Sequence, residues 1–269
     1  MIFAGYGFPH VNGSIGFDGS NVKGDTPMNP KTKVATALTA AMMLAVPGLA
    51  MSEGGKTYRV TITNLTAGQA FTPPVLLTHT KRTSIFSVGY PASAEIQAIA
   101  ENGDTMPLQM ALANDVQVHQ VVAGMAPLVP ANNPGGTGFA SSATFEITTH
   151  GSAKFLSFAS MLICTNDGFT GLDTVRLPRR SKTVYSKSYD ARTETNTEDF
   201  ADIVPPCQGL IGVSSDDAGT GMTNPELAED GVIIPHAGIN GGNDLLPAAH
   251  NWGDPVAKIK IERVRNYDD

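Results

Sequence analysis

The stretch FLSFASMLICTNDGFTGLD, residues 155–173, decides the fold of this chain. Its first ten residues, 155–164, are apolar on both faces of an extended strand, which indicates a central β-strand covered on both sides. The run is too short to span a bilayer. Residues 165–173 place Asn and Asp between glycines, a pattern that can turn several oxygens toward a hard cation such as Ca²⁺. The same residue types are also common in ordinary turns, so spacing alone leaves both interpretations open.

Strand periodicity recurs on both sides of this stretch. Apolar and polar residues alternate over residues 58–63, 143–148 and 257–262, and residues 75–79 form a further apolar run. Two short segments, 93–101 and 107–113, instead have helical periodicity. Residues 190–255 are rich in Gly, Asn, Asp and Pro and show little periodicity. We predict an all-β, two-sheet sandwich with two short inserted helices, a long loop in the C-terminal half, and a closing strand that pairs with an early one.

Composition excludes several classes of protein. The chain has 269 residues, of which 41% are hydrophobic and 16% charged, with 28 Gly and 18 Pro. It is too apolar for a disordered protein and too rich in Gly and Pro for a helical bundle. Its net charge of −7 argues against nucleic-acid binding, which needs clustered Lys and Arg.

The N-terminal region resembles an export signal rather than part of the fold. An apolar run over residues 34–49 follows Lys31 and Lys33 and leads to a small-residue cleavage site after Ala50. We therefore predict a signal peptide over residues 28–50, preceded by an over-long gene start at 1–27. The mature chain, 51–269, is then a single domain that is secreted or periplasmic and has no transmembrane segment.

Both cysteines, Cys164 and Cys207, lie in the part of the chain predicted to be exported, where oxidation is allowed. They are expected to form either one disulfide or two buried thiols, because sequence does not fix the distance between their Cα atoms.

No short catalytic motif is present in the sequence: it has no G-x-S-x-G, H-E-x-x-H, C-x-x-C or P-loop pattern. A local basic stretch could contact a sulfated or acidic polysaccharide, or simply be a solvated strand edge. This stretch contains Arg176, Arg179, Arg180, Lys182 and Lys187.

Two segments resemble the spondin domain family, as in F-spondin and mindin. Residues 160–163 and 166–173 are similar to the family's S-M-(apolar run)-D-W-x-G-x-D stretch, and residues 189–194 (YDARTE) to its aromatic-D-A-G-T-D motif. Weaker matches lie at residues 58–60, 74–80 and 100–105. The resemblance covers the chain from Thr57 to about Val264.

This resemblance implies a C2-like antiparallel β-sandwich of about eight strands with a loop-bound Ca²⁺. The family's three metal-binding carboxylates fall on Asp167, Asp190 and Glu194, where Glu replaces the family's Asp at the last position. Asn166 and Asp173 are expected to shape the loop or complete the ligand shell. Arg192 replaces a family glycine, so it is strained if that position needs a positive φ.

Three functions follow as expectations, of which one is a structural envelope protein without a metal and the other two are more specific. The first is an exported, calcium-binding, non-catalytic module that binds a protein or polysaccharide at the cell surface or in a matrix. The alternative is an exported hydrolase that uses carboxylates in residues 208–251. Those available are Asp216, Asp217, Glu226, Glu229 and Asp230.

Overall fold

The computed structural model of this protein describes residues 55–265, which form an antiparallel β-sandwich. The predicted gene-start extension, signal peptide and cleavage site lie outside the described residues. The all-β sandwich expected from the sequence is confirmed. It has ten strands in the described part rather than about eight.

One sheet has four strands, in the order β4-β1-β10-β7. These are β1 (Lys56–Asn64), β4 (Ser142–Thr149), β7 (Ser181–Ser186) and β10 (Ala257–Arg263). Residues of β1 alternate between buried and exposed positions as predicted. The closing strand β10 pairs with β1 from Tyr58–Arg263 to Asn64–Ala257, so the first and last strands of the domain are neighbours.

The second sheet has six strands, in the order β3-β2-β5-β6-β8-β9. These are β2 (Val75–His79), β3 (Val118–Ala123), β5 (Phe155–Met161), β6 (Gly168–Arg176), β8 (Ser188–Asp190) and β9 (Ile234–Pro235). The predicted central strand β5 lies between β2 and β6. Its side chains reach both the core between the sheets and the core beneath the helices.

The two predicted helices cover the outer face of this sheet. They are α1 (Ala94–Asn102) and α2 (Met106–Leu112). Ser93 caps α1 by accepting a hydrogen bond from the Ile96 amide, and Gly103 ends it at φ 67°. Ile96 and Ile99 pack against Ala159 of β5 and Phe169 of β6. This explains why β5 is apolar on both faces.

The predicted loop at residues 165–173 needs correction, because most of it is strand β6. Gly168 and Gly171 weaken the strand pattern in the sequence. The structure shows why Gly171 is small: a Cβ there would lie 2.5 Å from the Phe158 carbonyl oxygen of β5. The close approach of two backbones, rather than a turn, therefore accounts for this glycine.

The C-terminal half contains more structure than the single long loop that the sequence suggests. It includes α3 (Pro206–Ile211), α4 (Pro247–His250) and 3-10 turns at Phe200–Asp202 and Pro225–Leu227. This region has its own small core, in which Phe200, Leu210 and Leu245 pack against Met161 and Ile163. Within residues 55–265, no helix is long and apolar enough to cross a membrane.

Candidate metal centre

The β-sheet brings the predicted carboxylates Asp167, Asp190 and Glu194 to one end of the sandwich. Asp167 lies in the turn between β5 and β6, and Asp190 is the last residue of β8. β6 and β8 pair so that Gly168 lies opposite Asp190. Glu194 follows four residues later. These three residues are buried, with exposed fractions of 0%, 5% and 3%.

One carboxylate oxygen of Asp167 accepts hydrogen bonds and the other accepts none. Its Oδ2 accepts hydrogen bonds from the backbone amides of Thr193 (2.7 Å) and Glu194 (3.0 Å). Its Oδ1 is buried and accepts no hydrogen bond. An acceptor left in this state costs free energy unless a ligand satisfies it. The 193–194 backbone therefore orients a carboxylate whose second oxygen is left for a further partner.

The other two carboxylates are fixed by their own neighbours. Asp190 accepts from the Arg192 amide through Oδ1 (2.8 Å) and from Asn196 Nδ2 through Oδ2 (2.9 Å). Glu194 Oε1 accepts from the backbone amide of Asn224 (2.8 Å). The longer glutamate side chain thus links the site to the C-terminal region.

A fourth buried carboxylate, Glu101, comes from the last turn of α1. It accepts hydrogen bonds from Gln97 (2.8 Å) and Thr223 (2.5 Å). Glu101 is 4% exposed, and its charge raises the pKa of both Asp167 and Glu194. Sequence reasoning treated this residue only as part of a helix end, and no local spacing connects it to residues far along the chain.

Electrostatics make this group of four carboxylates unfavourable without a cation. Burial raises the pKa of Asp167 to about 7, with a further contribution from the charge of Asp190. Burial also raises the pKa of Glu194 to about 7, and the charges of Glu101, Asp167 and Asp202 add to the effect. The ion pairs found among residues 55–265 join Arg59 to Glu146, Arg192 to Glu229 and Lys260 to Glu262, and none includes these four carboxylates.

The unpartnered Asp167 Oδ1 and the repelled carboxylates around it suit a hard divalent cation. No three carboxylates of this group have oxygens within 4.8 Å of one another, however, so binding an ion would require these side chains to move closer together. Carboxylate oxygens are the ligands that Ca²⁺ prefers, and Asp167 Oδ1 is a buried oxygen with no other partner. A bound cation would neutralise the repulsion that adds to burial in raising the pKa values of Asp167 and Glu194.

The two accessory residues predicted from the sequence have different positions. Asn166 is next to the site, where its Nδ2 donates to Thr197 Oγ1 (3.1 Å) and its Oδ1 accepts from the Glu198 amide (3.4 Å). Asp173 lies six residues along β6 from Asp167, or roughly 20 Å at about 3.3 Å per residue. There it accepts from the Ile85 amide (2.7 Å). Because residues 168–173 form a strand, Asp173 is separated from the carboxylate group.

A second acidic group lies nearby in the C-terminal region. Oxygens of Asp199, Asp217 and Asp244 all lie within 4.8 Å of one another, and Asp217 is exposed. These carboxylates accept hydrogen bonds from Ala201, Ser215 and Phe200 respectively. None of their oxygens is both buried and without a hydrogen-bond partner, and this distinguishes them from Asp167.

Two further connections hold the C-terminal region near the site, in addition to the hydrogen bonds of Glu194 and Glu101. A disulfide joins Cys164, in the β5–β6 turn, to Cys207 of α3, with 5.1 Å between the Cα atoms. Glu198 accepts from the amides of Asn240, Gly241 and Gly242 at 2.6–2.9 Å. Burial raises the pKa of Glu198, but these amides outweigh it, and the pKa lies below the ordinary value.

Carboxylates named for the hydrolase alternative are mostly at the surface. Glu229 forms an ion pair with Arg192 at 2.7 Å. The others, Asp216, Asp217, Glu226 and Asp230, are exposed.

Comparison with known families identifies this carboxylate-bearing part of the chain. Residues 63–194 match the model of the spondin N-terminal domain, Spondin_N. The chain contains a spondin domain. Its matched segment ends at Glu194, so it includes Asp167, Asp190 and Glu194 together with Glu101. No curated protein matches the chain. A spondin domain suggests an extracellular binding module, and the region after residue 194, including α3 and α4, lies beyond the matched segment.

Proposed function

We propose that this protein is an exported, calcium-binding spondin domain that acts as a non-catalytic binding module at a cell surface or in a matrix. The observation that carries the calcium site is the buried, unpartnered Oδ1 of Asp167 among four buried carboxylates. The binding role rests on the family assignment.

The role proposed for the cation is structural. Asp167, Asp190 and Glu194 would hold it, with Glu101 and Asn166 at the edge of the site. The bound ion supplies positive charge that offsets carboxylate repulsion. The chain's own hydrogen bonds then link three segments: Asp167 holds the backbone at residues 193–194, Asp190 holds Asn196, and Glu194 holds Asn224. Ordering these segments would present a fixed loop surface to a partner.

The test compares Asp167→Asn with Asp217→Asn in metal-stripped protein, melted with and without calcium. Both changes remove one negative charge, but Asp217 belongs to the second acidic group. A ligand that binds only the folded state raises Tm, so wild type and Asp217→Asn are expected to gain several degrees in calcium. Asp167→Asn is expected to lose this gain and to melt no lower than wild type in chelator, because it removes a repelled charge.

An unchanged calcium gain in Asp167→Asn would overturn the proposed site. Loss of the gain in Asp217→Asn alone would assign the ion to the second acidic group instead.

A further inference from the structure

A basic cleft opens at the end of the sandwich opposite the carboxylate group. Its volume is about 270 Å³. The basic side chains that line it are Lys56, His150, Lys154, Arg176, Arg179 and Arg263. None of the carboxylates among the described residues lines this cleft, although the chain as a whole has a net charge of −7.

Both sheets contribute cations to the basic cleft. Lys56 begins β1 and Arg263 ends β10, two strands that pair with each other. Arg176 ends β6, opposite Phe155 of β5, and Lys154 directly precedes that phenylalanine. Strand ends that meet at one edge of the sandwich therefore gather residues that are far apart in the sequence.

The positive charge of the cleft is largely uncompensated within the protein. Lys56, Lys154, Arg176 and Arg179 are exposed, and none of them takes part in the ion pairs found among residues 55–265. Strand β6 separates the cleft from Asp167 by nine residues, or roughly 30 Å at about 3.3 Å per residue. This distance exceeds the Debye length of about 8 Å at physiological salt, so the acidic end does not neutralise the basic end.

The walls of the cleft favour a polar ligand over a bilayer. Its large apolar residues are Tyr58 and Leu177, which are 4% and 9% exposed. Tyr58 is further held by a hydrogen bond from its hydroxyl to the Pro178 carbonyl oxygen (3.0 Å). Surfaces that insert into membranes instead present exposed Trp, Phe or Leu beside their basic residues. The cleft is also smaller than a typical pocket for a drug-sized molecule, about 300–1,000 Å³.

Basic residues continue beyond the cleft along an edge strand. Arg180 and Lys182 are exposed, and Lys182 belongs to β7, which lies at the edge of the four-stranded sheet. A row of cations that leads out of a small cleft matches a polymer whose charged groups repeat. Arg side chains bind carboxylate and sulfate-like oxygens in a planar, two-pronged geometry.

We propose that the basic cleft binds the anionic groups of an acidic polysaccharide, with one sulfate or carboxylate seated between Lys154, Arg176 and Arg179. This inference names a partner class for the proposed binding module and does not depend on calcium. It gives a role to Arg176, Arg179, Arg180 and Lys182 of the basic stretch, but not to Lys187, which lies outside the cleft.

The test measures affinity of the purified protein for dextran sulfate, polygalacturonate and neutral dextran. Two double variants remove the same net charge. Lys154→Gln with Arg179→Gln changes the cleft, and Lys187→Gln with Lys258→Gln changes exposed or half-exposed lysines outside it. We expect binding to at least one charged polymer but not to neutral dextran. The cleft variant is expected to bind about tenfold more weakly, since each exposed charge contact contributes up to about 1 kcal/mol. The control variant should stay within about twofold of wild type.

Equal weakening by both double variants would overturn the proposal, because attraction would then follow net charge rather than the cleft. Failure to bind both charged polymers would also overturn it. So would binding only to phosphatidylglycerol vesicles, which are assayed in parallel with the polymers. Thermal melting of each variant establishes that it is folded. If calcium still raises Tm while no polymer binds, the polysaccharide inference fails and the calcium site stands.

Discussion

Arg192 combines an unfavourable backbone conformation with a favourable side-chain contact. Its φ of 57° lies in the left-handed region, where residues with a Cβ are strained. Its guanidinium Nε lies 2.7 Å from Glu229 Oε2 in a partly exposed ion pair. The sequence predicted strain here because Arg replaces a family glycine. The structure adds a contact that offsets part of it.

Comparing Arg192→Gly with Arg192→Ala separates these effects, because both variants lose the ion pair but only glycine relieves the positive φ. The glycine variant is expected to have the higher free energy of unfolding, by about 1 kcal/mol. Urea denaturation measures the difference. An alanine variant as stable as the glycine variant would show that the positive φ carries no cost at this position.

Other residues of the candidate site differ in how far sequence could reveal them. Asp167, Asp190 and Glu194 were identified through short motifs that resemble the spondin domain. Glu101 lies within the weaker match at residues 100–105 but was not assigned to the site, and Asn224 lies in no match, since both meet the site only after the chain folds. Local spacing carries no signal for such contacts.

The disulfide between the β5–β6 turn and α3 is a connection between elements. Its sequence separation is 43 residues. Closing a loop of this length is expected to stabilise the folded state by about 4 kcal/mol on the chain-entropy model. The Cys164→Ala, Cys207→Ala variant should therefore unfold at clearly lower denaturant concentration than oxidised wild type.

Reductant provides the control for this comparison. It should lower the stability of wild type toward that of the double variant and leave the double variant unchanged. A wild type that is equally stable with and without reductant would contradict the prediction.

At the level of whole elements, strands with regular alternation were predictable and those with glycines were not. β1, β4 and β10 follow the expected pattern closely. β6 was interpreted as a loop because Gly168 and Gly171 interrupt it, although Gly171 is what allows it to lie close to β5. β9 has two residues, too few for any periodicity to appear.

For the whole molecule, the raised pKa values predict an unusual dependence of stability on pH. Asp167 and Glu194 have pKa values of about 7 when folded, against ordinary values of 3.8 and 4.5. Between these limits the metal-free folded state holds more protons than the unfolded chain. Its stability therefore falls as pH rises from about 4 to about 7.

Burial lowers the pKa of His236 and His250. These two histidines therefore make the folded state more stable as pH rises, which opposes the effect of Asp167 and Glu194. The useful measurement is thus the difference in free energy of unfolding between wild type and Asp167→Asn in chelator. Wild type is expected to lose stability relative to the variant as pH increases, and calcium should remove this loss because metal ligands must be deprotonated. A difference that does not vary with pH would contradict the account.

The molecule as a whole separates its charges, with buried carboxylates at one end of the sandwich and an exposed basic cleft at the other. The most direct test of the proposed carboxylate site is diffraction from crystals grown with calcium, using anomalous scattering to locate the ion. We expect an ion with Asp167 Oδ1 as a ligand at about 2.3–2.6 Å, and with Asp190 and Glu194 in its shell. A calcium ion bound only between Asp199, Asp217 and Asp244, or no ion near Asp167, would show that the proposed site is wrong.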